Sequence, residues 1–236
     1  TITFVKSPKY GEKLKANQVD WWGIVFLASF IGSLQFVLEH GQQDDWFNEP
    51  LIVVLSIVTV FGLLAFIWRE MTYEYPVVNL KVLKDANLRI GTIMCFILGF
   101  GLYGSTLVIP IYTQQILGWT ATQSGLLLIP GSITTAFMMP IIGNLIQKGV
   151  PQPYLVALGF LIFFGFTFWM HESMTPDTGA EHLFWPLILR GIGLGLLFVP
   201  ITTMALSTLK GKSIGEGAAF TGMMRQLGGS FGIAII

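Results

Sequence analysis

The chain has 236 residues, of which 53% are hydrophobic and only 11% charged, against about 25% charged in ordinary soluble domains. Its 13 basic and 13 acidic residues cancel, which argues against a nucleic-acid partner, and a single cysteine, Cys95, excludes a disulfide framework or thiolate metal site within the chain. With a mean hydropathy of +0.69 spread along its length, and about 20 apolar residues needed per spanning helix, the sequence reads as an all-α polytopic membrane bundle of about seven transmembrane helices with no room for a soluble domain.

In chain order, residues 1–19 form a basic cytoplasmic lead. Lys6, Lys9, Lys13 and Lys15 occur there without an apolar core or small-residue cleavage site, so the lead is not a signal peptide. Stretches with few or no charges follow at 21–38, 51–68, 90–116, 121–147, 151–170, 183–209 and 217–236. The first two make a helix pair within 20–70, a linker covers 71–89, and the other five fill 90–236. The third and fourth exceed what a hydrocarbon core of about 30 Å requires, so tilt or a polar extension such as Tyr112-Thr113-Gln114-Gln115 is expected. Pro110, Pro130, Pro140 and Pro200 interrupt the spans, which lipid tolerates only where protein or a cavity satisfies the freed carbonyls. The absence of an initiator methionine and the end at Ile235-Ile236 inside an apolar run suggest a piece of a longer membrane protein.

The charges segregate by loop. The lead, the connection with Arg69, Lys81, Lys84 and Arg89, the loop at Lys148 and the loop with Lys210 and Lys212 hold eleven of the thirteen cations. The alternate loops, 39–49, 113–123 and 171–182, hold none, yet carry Glu39, Asp44, Asp45, Glu49, Glu172, Asp177 and Glu181. Because cations accumulate on cytoplasmic loops, the amino terminus is expected inside a bacterial-type cytoplasmic (inner) membrane.

The other two cations, Arg190 and Arg225, fall within spans six and seven. An arginine at a helix centre costs about 2.5–3.5 kcal/mol on insertion scales and is a functional candidate by default; the alternative is snorkelling, with the stem carrying the guanidinium to the headgroups. For Arg190 both readings stay open. For Arg225 a buried role is favoured, because Gln226, Gly228, Gly229, Ser230 and Gly232 follow it and small residues let membrane helices approach closely.

Other motifs point away from catalysis. Arg190-Gly191-Ile192-Gly193-Leu194-Gly195 lacks the preceding strand and later acid of a dinucleotide loop, and reads as close packing followed by a bend at Pro200. Met138, Met139, Met204, Met223 and Met224 fit either core or an adaptable apolar lining. Asp44-Asp45 has no second acidic cluster, and His40, His171 and His182 lack metal-ligand spacing, so these read as solvated loop residues and no metal is expected. There is no Ser/His/Asp constellation and no phosphate-binding GxxxxGK[ST]. Carboxylates are absent from spans two to seven as drawn, with Asp20 at the inner lip of span one. A proton-coupling acid is therefore expected outside this chain.

Several strings resemble one family. Leu34-Gln35-Phe36-Val37-Leu38-Glu39-His40-Gly41 with Asp45-Trp46-Phe47, then Pro76-Val77-Val78-Asn79-Leu80 and Asn87-Leu88-Arg89, then Thr120 to Leu126 with Pro130-Gly131, and finally Arg225 to Gly232 resemble, in order, helices seven to thirteen of the fourteen-span drug:proton antiporters of the major facilitator superfamily, the EmrB/QacA type. The resemblance implies a helix pair followed by a carboxy-terminal transport half lacking its last helix. It implies proton-coupled efflux of drugs or other small amphiphilic substrates by alternating access, with an amino-terminal half elsewhere in the same chain, membrane lipid around it, a periplasmic adaptor as a further partner, and no cofactor beyond the proton gradient. Spans three, four, six and seven would face the substrate, span five would be peripheral, and Tyr103, Gln114, Gln115, Arg190 and Arg225 become the candidate lining or gating residues. One departure stands out: Gln147 occupies the position in Gly143-Asn144-Leu145-Ile146-Gln147-Lys148 where the superfamily usually carries Asp. An integral-membrane transferase and a seven-helix receptor are the alternatives. The first lacks a second aspartate-rich motif, and the second needs its amino terminus outside. The Asp44-Asp45-Trp46-Phe47 loop is the expected adaptor contact.

Overall fold

The computed structural model describes residues 20–41, 46–73 and 80–235, in two units, 1–80 and 81–236. The described residues form seven α-helices joined by short turns. Six of them are long and apolar enough to span a membrane; the seventh, rich in Gly and Ser, is long enough but not so apolar.

The first unit is an antiparallel hairpin of α1 (Trp21–His40) and α2 (Pro50–Thr72), with a 3-10 turn at Trp46–Asn48. Asp20 starts α1 by accepting from the Gly23 N–H at 3.1 Å, and Pro50 starts α2 where a missing N–H costs nothing. The single Arg69 Nε–H is shared between both carboxylate oxygens of Asp20, each at 3.0 Å, and Arg69 Nη2 lies 3.0 Å from Oδ1. Burial pushes the Asp20 carboxyl up, but the Arg69 guanidinium and the Gly23 N–H outweigh it and hold the group below the usual carboxylate range. Along the seam Ser33 and Thr59 share a 2.8 Å hydroxyl bond. Gly62 lets α2 approach Phe30, whose backbone N would lie 3.2 Å from a Cβ there. Val54, Ile57, Phe61, Leu64 and Trp68 are exposed on α2, as lipid-facing side chains should be. Of the proposed adaptor loop, Asp44 and Asp45 lie outside the described residues, Trp46 packs its ring against Gly41 and Phe47 is exposed.

The second unit packs α3 (Ala86–Ile111), α4 (Ala121–Gln147), α5 (Gln152–Ser173), α6 (Ala180–Leu206) and α7 (Lys212–Ala234). Helix α6 is central: 56% of its apolar window is buried, against 33% or less in the other candidate spans, and it touches the other four helices. Its alternate glycines explain this. Successive positions two apart point to opposite sides of a helix and those four apart to the same side. A Cβ on Gly191 or Gly195 would strike Gly131 or Met138 of α4, whereas one on Gly193 would press on Phe163 and Gly159 of α5. The expected close packing is thus met on two faces at once. Between α3 and α7 the backbones also touch: a Cβ on Gly99 would meet the Arg225 carbonyl, and one on Gly228 the Phe96 carbonyl.

Several boundaries differ from the sequence reading. The long third span ends its α-helix at Ile111 and continues as a single π-helical turn, Tyr112–Ile116, just after Pro110. That turn is anchored by Tyr112, whose hydroxyl donates to the Thr175 carbonyl at 2.6 Å, and by Thr113, which donates to Ser124 Oγ at 2.8 Å. Helices α2, α5, α6 and α7 also run past the uncharged stretches, so Glu70, Glu172, Glu181 and Glu216 are helical residues rather than loop residues. The uncharged stretches themselves remain free of carboxylates, but charge alone does not end a helix whose first or last turn can reach the interface.

Candidate functional site

The polar side chains of the second unit's interior converge on α3. Arg190 is 5% exposed and lies near the middle of α6. Its guanidinium crosses to one turn of α3: Nε donates to Ser105 Oγ at 3.0 Å, and Nη2 donates to the Leu102 carbonyl at 3.3 Å and to Thr106 Oγ1. It therefore packs into the bundle instead of snorkelling to a span end. All three acceptors are neutral. No carboxylate pairs with Arg190 among the described residues, and the nearest acid on its own helix, Glu181, is nine residues away, about 13 Å at 1.5 Å per residue.

Of the five residues singled out from sequence, Arg190 and Tyr103 meet on this stretch of α3, and Arg225 of α7 contacts α6 about two turns further along. Tyr103 lies one turn from Thr106 on α3 and donates its hydroxyl to Gln226 Oε1 on α7 at 3.0 Å. Arg225, half-buried, stacks its guanidinium over the Phe198 ring of α6 at 5.0 Å, a cation–π contact. Gln114 and Gln115 are not brought to this set; both are exposed in the π-helical turn, about 16 Å beyond Tyr103 along α3 at helical rise. Sequence reasoning did not select Ser105, Thr106 or Gln226 as site residues. Hydroxyls in membrane helices usually bond their own preceding turn, as Thr106 does to the Leu102 carbonyl at 2.6 Å; only an arginine on a neighbouring helix marks these two out.

Further bonds hold the frame. Thr135 of α4 donates to the Gly191 carbonyl of α6 at 3.1 Å. The Thr120-to-Leu126 string is in physical terms a capping box: Gln123 N–H donates to Thr120 Oγ1 at 3.3 Å, and Thr120 N–H to Gln123 Oε1 at 2.9 Å. At the opposite end of α3, the Leu88 N–H and the Thr208 hydroxyl hold the Asp85 carboxyl below its usual range. Cys95 is buried among Leu98, Leu194 and Leu197, and Met138 packs on Gly195 as core.

An apolar cavity of about 360 Å³ opens between α3, α5 and α7, lined by Phe100, Val108, Phe163, Phe166 and Met170 and by Ser105, whose Oγ accepts from Arg190. The resemblance implies a substrate space faced by spans three, four, six and seven with span five set apart, so this is a different space. Among the described residues no cluster of three or more His, Cys, Asp or Glu could hold a metal.

Comparison with known proteins agrees with this architecture. The Major Facilitator Superfamily profile matches residues 22–233. The chain is similar to the fatty acid resistance protein FarB of Neisseria gonorrhoeae, at 34% identity over 92% of this chain and 42% of that protein. It is also similar to the multidrug export protein EmrB of Escherichia coli K12, at 31% over 94% and 43%, and to the colistin resistance protein EmrB of Acinetobacter baumannii, at 29% over 93% and 43%. The chain thus spans about two-fifths of the length of the curated relatives it matches. Apolar spans, glycine-packed helix pairs and a match over nearly the whole chain lead to one conclusion: this integral membrane protein belongs to the Major Facilitator Superfamily, whose members are transporters and not enzymes, and its resemblance is to the EmrB type.

Proposed function

We propose that the chain supplies the carboxy-terminal transport half, preceded by a helix pair, of an exporter of small amphiphilic molecules. Export proceeds by alternating access in the bacterial cytoplasmic membrane and is driven by protons moving inward. The basic lead (1–19) and linker (71–89) lie on the cytoplasmic side, the pair occupies 20–70, and the transport half runs from 90 to 236 and works against an amino-terminal half that carries the coupling acid. The observation that carries this reading is the buried Arg190 of α6, seated on neutral groups of α3, with Tyr103 of the same α3 stretch bonded to Gln226 of α7, in an otherwise apolar bundle. Groups that cost free energy in lipid persist where they act on a substrate or its gate. The names of the relatives, multidrug export and fatty acid or colistin resistance, support amphiphiles as the substrate class. Exposed Gln114 and Gln115 suit a gate at the outer end, and Trp46-Phe47 a contact with a periplasmic adaptor.

The test is transport by the full-length protein in proteoliposomes, with the outward movement of a lipophilic fluorescent substrate followed with and without an imposed proton gradient. Transport that collapses with the gradient is expected; equal transport after the gradient is dissipated would sink proton coupling. Photo-crosslinking from Phe47 in intact cells is expected to capture a periplasmic protein, and its failure there removes the adaptor contact.

A further inference from the structure

We infer that Arg190 is a charge-recognition residue: its guanidinium, seated on the Leu102–Thr106 turn of α3, binds the carboxylate of an anionic single-chain amphiphile. The inference rests on the exporter reading and narrows its substrate class.

The first observation is an incomplete charge balance. A buried ion is retained when it is paired and hydrogen-bonded, yet every acceptor of Arg190 is neutral. Residues 90–171, 182–215 and 217–236 contain no Asp or Glu, so α3, α4 and α6 can offer no counter-charge from their interiors. The second cation of this interior, Arg225, is held by an aromatic ring and not by an acid. Neither arginine is ion-paired among the described residues, and Arg190 is buried in a medium that screens little.

The second observation is geometric. Nε and Nη2 are the donors already in use, whereas Nη1 has no acceptor among the described residues. The guanidinium is thus nine-tenths buried with one nitrogen unpartnered, and Thr106, which holds its Nη2, is an exposed residue of α3. A carboxylate approaching past Thr106 would take the free nitrogen and one of the two already engaged, forming the planar two-bond pairing that arginine makes with carboxylates and lysine does not. The α3 acceptors lose nothing by this exchange, because Ser105 and Thr106 each already donate to the Leu102 carbonyl, at 3.1 and 2.6 Å. The seat is a resting place for an arginine that an anion can draw on without leaving a polar group stranded. An amphiphile is the fitting carrier, since only a molecule with a substantial apolar part enters a bundle of this composition.

The experiment uses the full-length protein in detergent or nanodiscs and three ligands that share one alkyl chain and differ in headgroup: dodecanoate, dodecanol and dodecyltrimethylammonium. Affinities are measured by competition against a fluorescent lipophilic probe at pH about 8, where the carboxylic acid is ionised. Dodecanoate is expected to bind at least tenfold more tightly than dodecanol, and the trimethylammonium more weakly than either. This comparison needs no variant. Arg190→Gln is expected to erase the dodecanoate advantage while leaving dodecanol affinity within twofold, and Arg190→Lys to keep only part of it. Equal affinity for the three headgroups, or tightest binding of the cation, overturns the inference; in that case the charge of Arg190 is balanced from elsewhere in the protein. Failure of the exporter reading looks different, because then none of the three is moved across proteoliposomes, whatever the order of their affinities.

Discussion

Arg69 in the hairpin and Arg190 in the five-helix unit are the same side chain used in opposite ways. Arg69 meets a carboxylate edge-on, with three contacts of 3.0 Å to Asp20, and its partner also caps α1. It further lies over the Tyr73 ring at 4.0 Å. Arg190 has only a carbonyl and two hydroxyls. The first arrangement is closed: each charge has its opposite, and removing either strands the other. The second is open, because no member of the seat would be stranded if the arginine left. A charge kept without a counter-charge is weak evidence for stability and stronger evidence for a ligand.

The most damaging way to break this comparison is to move α3 itself. Gly228 sits where a Cβ would run into the Phe96 carbonyl, and a backbone carbonyl cannot swing aside. Gly228→Ala is expected to cost about 3 kcal/mol, at the upper end for overpacking, read as a drop in thermal unfolding temperature of the full-length protein in detergent. Gly222→Ala, on the same helix with nothing within 4 Å of the new methyl, is expected to be neutral or slightly stabilising. If both variants behave alike, the close α3–α7 approach does not set the position of the Arg190 seat.

The two arginines themselves should give effects of opposite sign. Arg69→Met leaves the Asp20 carboxylate without its partner and is expected to lower the unfolding temperature. Arg190→Met replaces an unpaired charge with an apolar chain of similar length, and its α3 acceptors stay satisfied within their own helix. It is expected to stabilise the protein by about 1 kcal/mol while transport of anionic substrates is lost. Acid should separate the pair further. The Asp20 carboxyl is held below its unfolded value, so the stability it contributes is fully present above pH about 4 and is lost as pH falls through the lower folded value. In Arg69→Met the guanidinium's share of that lowering is gone, and the variant should lose less stability than the parent over the same acid range. A loss of equal size in both would mean that the pair is not what links Asp20 to acid stability.

Much of the frame was legible because lipid imposes few solutions: uncharged length marks the spans, and small residues mark where helices touch. Arg190 and Arg225 could be singled out by the cost of a polar group in an apolar run, and Tyr103 only through the family resemblance. Their partners could not, since Ser105, Thr106 and Gln226 are ordinary in membrane helices until a neighbouring helix turns toward them. The π-helical turn at Tyr112–Ile116 escaped for a similar reason: a proline and a polar run predict an irregular end, but which carbonyls are re-satisfied depends on Thr175 and Ser124, from other segments. Glu216 was set outside the seventh span by charge, although the helix begins at Lys212.

The smallest effect concerns how α6 is held while Arg190 waits for a ligand. Thr135 donates both to Gly131 in its own helix, at 2.9 Å, and across to Gly191, the residue after Arg190, at 3.1 Å. Interhelical hydrogen bonds of this kind average about 0.6 kcal/mol in membrane proteins, so Thr135→Val, nearly the same shape without the hydroxyl, is expected to lower stability by about that much. Thr203→Val serves as the control, because the Thr203 hydroxyl bonds only its own helix, at Val199 and Pro200, and should change nothing measurable. A cost for Thr135→Val approaching that of Arg69→Met would show that the α4–α6 contact depends on this hydroxyl rather than on the glycine faces. The bundle would then be polar-stapled like the hairpin, and the contrast between the two regions would narrow to the one arginine that has no acid.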